Sequence, residues 1–321
     1  MGNKKITIAD IAREANVGIG TVSRVLNNSL HVSEETRKKV LEVVKKRQYT
    51  PSGAASRLAR QEVGPPTVGL LLPDIGNHYF FEIFETIYGT LRNLGIDLII
   101  FNYERHNPAL IRKILDAQVS ALLIFAFKLD RTEVDLLNSR NVRSLYIDYH
   151  EKGESCIVVD NVYGGELAAR YLVEKGVKNP CYVQGKPAES PNEKRLRGFT
   201  NYLYLHGYKK VPIYESTLNE KEAYQVGLEI ANNSNHDGVF CYCDDIAVGV
   251  IQAIRDSNKE IRVVGFDGLR ATRYLKLSTV SQQPSTIGER AAKMVVELME
   301  HEGEPVAKVE EFKPILLDRN S

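Results

Sequence analysis

The sequence predicts an α/β protein in two parts: a small N-terminal helical head, then a two-lobed body built on parallel sheets. Three observations carry this. Between Ile6 and Asn27, two short stretches of helical apolar period flank a tight break. From Val68 onward, continuous apolar runs alternate with stretches of helical period. Charge is also divided: residues 1–60 hold 12 Lys/Arg against 5 Asp/Glu, leaving 30 against 36 in the remainder. A near-neutral total thus hides a basic end and an acidic body, as expected of a DNA-binding head on a body that does not bind DNA.

In the head, Ile8, Ile11, Ala12 and Ala15 recur at helical spacing, and Val22, Val25 and Leu26 form a second apolar face after Asn16-Val17-Gly18. Two short helices joined so tightly form a helix-turn-helix, whose second helix lies in a DNA major groove. Thr21, Ser23, Arg24 and Asn27 lie off its apolar face and suit phosphates and base edges. The spacing alone also fits an ordinary helical hairpin, so the neighbourhood decides. Ser33 reads as the N-cap of a third helix running to about Arg47, with Glu34 and Glu35 in its first turn. Pro51 ends it by disfavouring helical geometry at Thr50.

Thr21-Val22-Ser23-Arg24-Val25-Leu26-Asn27, then Val32-Ser33-Glu34-Glu35-Thr36-Arg37, then Tyr49-Thr50-Pro51 together resemble the headpiece of the lac repressor family. The likeness is close over residues 6–60 and looser over the rest. It implies contacts to double-stranded operator DNA from Thr7, Ile19, Gly20, Thr21, Ser23, Arg24, Asn27, His31, Ser33, Tyr49, Ala55 and Leu58. Gly20 departs from the family, having no side chain where a base is often read, and Ile19 offers only apolar contact, for instance to a thymine methyl. Residues 52–60 match the family's hinge helix, which folds on the operator. Two such helices pair across a homodimer, and Leu58 takes the place of the residue that wedges into a minor-groove step. So short a segment does not hold a helix alone. The expected division is a head with hinge at 1–61 and a body at 62–321.

In the body, strands are expected at 68–72, 97–101, 121–126 and 144–147, with helices at 79–94, 109–117 and 132–139. A second set has strands at 156–159, 181–184, 239–242 and 262–266, and helices at 162–175, 193–206, 220–232 and 245–255. A helix at 287–300 and a strand-like stretch at 309–317 follow. Such alternation means parallel sheets with helices on both faces. Two sets predict two doubly wound lobes, with ligand bound beyond the carboxyl ends of the strands. The body resembles the periplasmic-binding-protein-like effector domain of the same family.

Polar and aromatic residues stand at those strand ends: Asp74, Asn77, Tyr79 and Phe80, then Asp148, Asp160-Asn161, Asp244-Asp245 and Asp267. Carboxylates and amides flanked by aromatics suit a polyhydroxylated ring. An Asp at a strand end more often caps the next helix, and Asp160 and Asp245 are expected as pure caps. The resemblance implies that Tyr79 and Phe80 flank the effector and that Arg195, in Arg195-Leu196-Arg197-Gly198-Phe199, grips it. It also assigns Asp148, Asp244 and Asp267 to the effector, with Leu218 as a wall and Gln283 in the segment returning to the first lobe. Cys243 stands where the family has Asn or Ser, which removes a hydrogen-bonding group. The expected effector is a small polar molecule, a sugar or sugar derivative.

Other classes fit less well. Gly-x-x-x-x-Gly-Lys-Ser/Thr, Gly-x-Ser-x-Gly and His-Glu-x-x-His motifs are absent, so an enzyme is not expected and no cofactor is implied. A sugar-binding or sugar-processing α/β protein without DNA function is the rival reading, and the basic head argues against it. No run has the length to span a membrane, and Ile6 stands where a myristoylation motif wants Ser or Thr. The four Cys lack disulfide-scaffold spacing, and with no apolar signal core a reducing cytoplasm is expected. Cys241 and Cys243 alone are too few for a structural zinc. A dimer is the expected state.

Overall fold

The structure, a computed structural model, describes residues 6–26, 31–47, 49, 66–73, 77–104, 107–185, 190–233, 235–301, 303 and 306–321. Asn27, Ala55, Leu58 and Asp74, and the expected hinge helix, lie outside the described residues. The chain divides into two compact units, Met1–Pro66 and Thr67–Ser321.

In the first unit, α1 (Ile8–Glu14), α2 (Ile19–Leu26) and α3 (Glu34–Lys46) enclose one small core. A capping box opens α1: Thr7 Oγ1 accepts the Asp10 N–H, and the Asp10 carboxylate accepts the Thr7 N–H at 3.0 Å. Asn16, at φ 51, turns the chain towards α2, a conformation Asn tolerates. Ile11, Ala12, Ala15, Val22, Val25 and Val40 are buried together. Glu14 ties the ends of α1 and α3, reaching Arg47 Nε at 2.6 Å and Lys46 Nζ at 3.0 Å.

The second unit holds two sheets. The first contains β1 (Thr67–Leu72), β2 (Asp97–Asn102), β3 (Ala121–Phe125), β4 (Arg143–Ile147) and β5 (Ser155–Val159). Between them run α4 (His78–Asn93), α5 (Pro108–Asp116) and α6 (Arg131–Ser139). Helix α7 (Asn161–Glu174) leads to the second sheet: β6 (Pro180–Gly185), β7 (Ile213–Ser216), β8 (Gly238–Cys241), β9 (Arg262–Asp267) and β10 (Ser278–Ser281). Its helices are α8 (Ser190–Leu205), α9 (Glu220–Asn232) and α10 (Asp244–Asp256). Then α11 (Pro284–Glu300), β11 (Val309–Phe312) and β12 (Ile315–Leu317) complete the chain.

The sheet orders are β11-β5-β4-β3-β1-β2 and β12-β10-β9-β8-β6-β7. All pairings are parallel except β12 on β10. The first five strands of each lobe thus follow the same 2-1-3-4-5 order, with a topological switch point between the first and third strands. Central strands such as β1 and β3 are buried along their whole length, as their unbroken apolar runs require.

Three sequence expectations need correction. The strand at 156–159 belongs to the first lobe, where β5 pairs with β4; the lobes therefore change over at α7. The stretch 309–317 is two strands, one in each sheet, because Lys313-Pro314 breaks the run between β11 and β12. Strands β7 and β10 are absent from the expected set: β7 alternates weakly in burial at an edge of the second sheet, and β10 is a four-residue Ser-Thr-Val-Ser stretch, so no apolar run marks either. Helix α11 returns to the first lobe, where Ile287, Ala291 and Val295 join the core of α4 and β1.

Candidate functional site

On the head, α2 buries Val22 and Val25 and turns Ile19, Gly20 and Arg24 outward, with Thr21 and Ser23 half-buried between. Ile19 is 53% exposed, and a Cβ at Gly20 would meet nothing within 4 Å. His31 and Ser33 are exposed ahead of α3; Ser33 caps it, accepting the Thr36 N–H at 3.3 Å. Thr7 is exposed but committed to the α1 capping box. Tyr49 is half-buried against the head core.

In the body, residues beyond the carboxyl ends of β1, β4, β8 and β9 converge where the lobes meet. The centre is Arg195, 3% exposed. Its Nε donates to Asn161 Oδ1 at 2.8 Å and its Nη1 to the Tyr242 carbonyl at 2.7 Å. The guanidinium lies 3.7 Å from the Phe266 ring centroid and 4.7 Å from that of Tyr242. Asp267 Oδ1 is 3.7 Å from Arg195 Nη1. Burial works against the Arg195 charge, but Tyr242, Asp267 and Asp148 around it keep it more firmly protonated than usual.

Local packing explains the placement. Helices α7 and α8 touch through their backbones: a Cβ on Gly165 would lie 2.0 Å from the Arg195 carbonyl, and one on Gly198 1.9 Å from that of Val162. Only glycine at these two positions brings the α8 backbone close enough for Arg195 to reach Asn161 at the start of α7.

Asp267 is buried at φ 115, a left-handed conformation costly for any residue but glycine. Burial pushes its carboxyl up, and Arg195 opposes the shift. Gln282 Nε2 donates to Asp267 Oδ1 at 2.7 Å. From the first lobe, Tyr79 is 5% exposed, and burial pushes its phenol up, with Asp148 and Asp267 adding to the shift. Among the described residues, neither the Tyr79 hydroxyl nor Gln282 Oε1 finds a hydrogen-bond partner. Such buried orphans are costly unless something supplies the missing group. Phe80 is partly buried edge-on to Phe125 at 5.5 Å. Asp148, at φ 59, is half-buried just past β4.

Other expected site residues have different work. Asn77 caps α4, accepting the Phe80 N–H at 3.2 Å. Asp244 is fully buried and accepts from Gly268 N (2.9 Å), Leu269 N (2.8 Å) and Thr279 Oγ1 (2.7 Å); it braces the turn after Asp267 rather than reaching towards a ligand. Burial pushes its carboxyl up to about 7, against those three hydrogen bonds. Gln283 donates to the Lys313 carbonyl at 2.9 Å, so its neighbour Gln282 is the amide at Asp267. Leu218 is 46% exposed in the turn between β7 and α9. Cys243 is buried ahead of α10, where it makes no side-chain cap bond. Asp160 caps α7, accepting the Tyr163 N–H at 2.9 Å. Asp245 is not a cap: it lies in the first turn of α10, 2.7 Å from His78 Nδ1 across the lobes. Glu82 and Glu85 make a second tie between lobes, both reaching Arg270.

Sequence reasoning assigned no role to Tyr242, Phe266 and Gln282, and gave Asn161 none beyond its place at a strand end. The first three act through a backbone carbonyl, a ring face and a buried amide, which leave no sequence pattern. Among the described residues, no group of three or more potential metal ligands exists, and no helix is long and apolar enough to cross a membrane.

Residues 7–52 match the family described as bacterial regulatory proteins, lacI family, and residues 169–321 match the periplasmic binding protein-like domain. The chain is 30% identical to the HTH-type transcriptional regulator RegA of Clostridium saccharobutylicum, over 91% of this chain and 92% of that protein. It is 28% identical to the HTH-type transcriptional repressor PurR of Klebsiella pneumoniae, over 98% and 96%. The solved lac repressor bound to ONPG shares the fold, with a TM-score of 0.71 at 24% identity over 99% of this chain and 100% of that one. These curated relatives are transcriptional regulators, not enzymes. A helix-turn-helix head, a two-lobed parallel-sheet body and a relative of this similarity along nearly the whole chain place the protein in the lacI family of bacterial transcriptional regulators.

Proposed function

We propose that this regulator is an effector-controlled repressor. As a homodimer it binds a two-fold-symmetric operator through Thr7, Ile19, Gly20, Thr21, Ser23, Arg24, His31, Ser33 and Tyr49 of each head, and a small polar ligand occupies the inter-lobe cleft. The observation that carries the ligand reading is the buried Arg195–Asp267 pair facing the unpartnered hydroxyl of Tyr79. A polyhydroxylated ligand supplies the missing partners, and Tyr79 and Phe80 cover its faces. A neighbour of the same fold from Enterococcus faecium holds ribose, which supports a sugar or sugar derivative. The exposed rings of Phe81 and Tyr88 on α4, joined through the partly buried Phe84, support the dimer, since such apolar exposure favours a covered face. A ligand touching both lobes favours one closure angle and so shifts the equilibrium between DNA-competent and incompetent states.

A thermal-shift screen of sugars, nucleosides and sugar phosphates should yield a ligand that raises the melting temperature, because it binds only the folded state. Arg195→Ala should then weaken that ligand by about 2–5 kcal/mol, as loss of a buried charged partner does. Native affinity in Arg195→Ala would move the site elsewhere. In gel shifts, one half-site bound as tightly as the full palindrome would remove the dimer.

A further inference from the structure

Away from the cleft, the amino ends of β6, β7 and β8 open onto a hollow of about 810 Å³. It is lined by Lys178, Lys209 and Lys210, by His206 and His236, and by half-buried Tyr214. Among the described residues, no Asp or Glu lines it, although beyond residue 60 the chain has more acidic than basic groups, 36 against 30. Asp237, just before β8, is committed to the backbone N–H groups of Lys178 and Asn179 at 2.8 and 2.7 Å.

Helices α8 and α9 finish beside the hollow, at Leu205 and Asn232, and their negative carboxyl ends attract cations. His206 answers that pull, donating from Nδ1 to the Tyr202 carbonyl at 2.8 Å. The three lysine ammonium groups make no hydrogen bond and no ion pair among the described residues. The wall opposite is preformed. His236 Nδ1 lies 3.2 Å from the Asn179 carbonyl and must donate to it, while Nε2 lies 2.9 Å from the Tyr214 hydroxyl. Asn233 Nδ2 donates to the same hydroxyl at 3.3 Å.

We propose that this hollow binds a phosphorylated small molecule, at a site separate from the cleft. Its volume is within the range of small-molecule pockets. Free ammonium groups offer charge-assisted hydrogen bonds to a phosphate, and the neighbouring amides and rings suit an attached polar carbon skeleton. Arg195, in the second turn of α8, and His206, just past its end, are eleven residues apart, roughly 16 Å at 1.5 Å per residue, so the two ligands do not compete for one space.

The test is calorimetry on the full chain at about 0.15 M salt, near physiological ionic strength, with ribose 5-phosphate as probe and ribose and inorganic phosphate as controls. Binding of ribose 5-phosphate is expected to be at least about tenfold tighter than that of ribose. It should fall about tenfold or more in the double variant Lys209→Ala/Lys210→Ala, as loss of charged hydrogen bonds predicts. It should persist in Arg195→Ala. Both lysines are exposed, so an unchanged melting temperature shows that the double variant is folded. The proposal is overturned if phosphorylation brings no gain in affinity, if the double variant binds as the native protein does, or if Arg195→Ala alone abolishes binding, which would place the probe in the cleft. Binding seen only well below that salt concentration also overturns it, as diffuse surface charge.

Discussion

The amide oxygen of Asn161 accepts the Nε–H of Arg195 at 2.8 Å, joining the first residue of α7 to the second turn of α8. Helix α7 is also the connection from β5 of the first lobe into the second. The residue that orients the central cation thus sits at a crossover between lobes. Both side chains are buried, so the bond is made without competition from water.

Asn161→Ala should therefore weaken the cleft ligand without altering operator binding by the ligand-free protein. Loss of a hydrogen bond to a charged group is worth about 1.5–3 kcal/mol, roughly ten- to a hundredfold in affinity. Calorimetry with the ligand from the thermal-shift screen measures it. Native affinity in this variant would mean that Arg195 is held by the Tyr242 carbonyl and the rings alone.

Gly198→Ala should destabilise the body, because its methyl group would meet the Val162 carbonyl at 1.9 Å. The obstacle is backbone, so α7 and α8 must separate, and overpacking of this kind costs about 1–3 kcal/mol or more. Urea unfolding followed by circular dichroism should show a lower midpoint with an unchanged slope. A native midpoint would mean that the two helices are not in backbone contact.

Asp244→Asn should change how stability depends on pH. The native carboxyl is raised by burial to about 7, whereas an Asp in an unfolded chain titrates near 3.9. The folded state therefore holds this proton more tightly. Its contribution to stability is fully present below about pH 4 and is lost as pH rises through about 7. Asn keeps an acceptor for the Gly268 and Leu269 N–H groups, can donate to Thr279, and does not titrate. Relative to the native protein, Asp244→Asn should thus gain melting temperature between pH 4 and 8. Parallel curves for the two proteins would show that Asp244 does not titrate in this range.

Arg24→Ala should weaken operator binding about tenfold or more and reduce the salt slope by roughly one, as loss of one phosphate contact does. Arg24 is exposed, so the melting temperature of the head should not move. Gly20→Ala faces open space, so the fold should also survive there, and any effect should appear as altered preference at one base position. Unchanged operator affinity in Arg24→Ala would mean that another surface of the head meets DNA.

Much of this protein could be read from the chain alone. The helix-turn-helix follows from Ile11, Ala12, Val22 and Val25 at helical spacing around Asn16, and those four side chains are the buried centre of the head. The parallel sheets follow from apolar runs such as Leu70-Leu71-Leu72 and Leu122-Leu123-Ile124, all fully or nearly fully buried. These are local properties: period and run length are set by which face of an element must leave water. Arg195, Asp267 and Tyr79 were also named from sequence, and they do converge between the lobes.

What the chain could not show was how carboxylates and amides of the same type divide their work. Asp160 caps a helix, Asp244 braces a turn, Asp245 pairs with His78 across the lobes, and Asp267 faces Arg195. Gln282 reaches Asp267, while the adjacent Gln283 turns to Lys313. The changeover at β5 and the division of 309–317 between two sheets were likewise invisible, because a strand's partner is chosen by tertiary pairing and not by its own composition. A side chain's hydrogen-bonding capacity is fixed by its type. Which groups satisfy it depends on what the fold brings within about 3 Å, and for Asp244, Asp245 and Gln283 those neighbours come from distant parts of the chain.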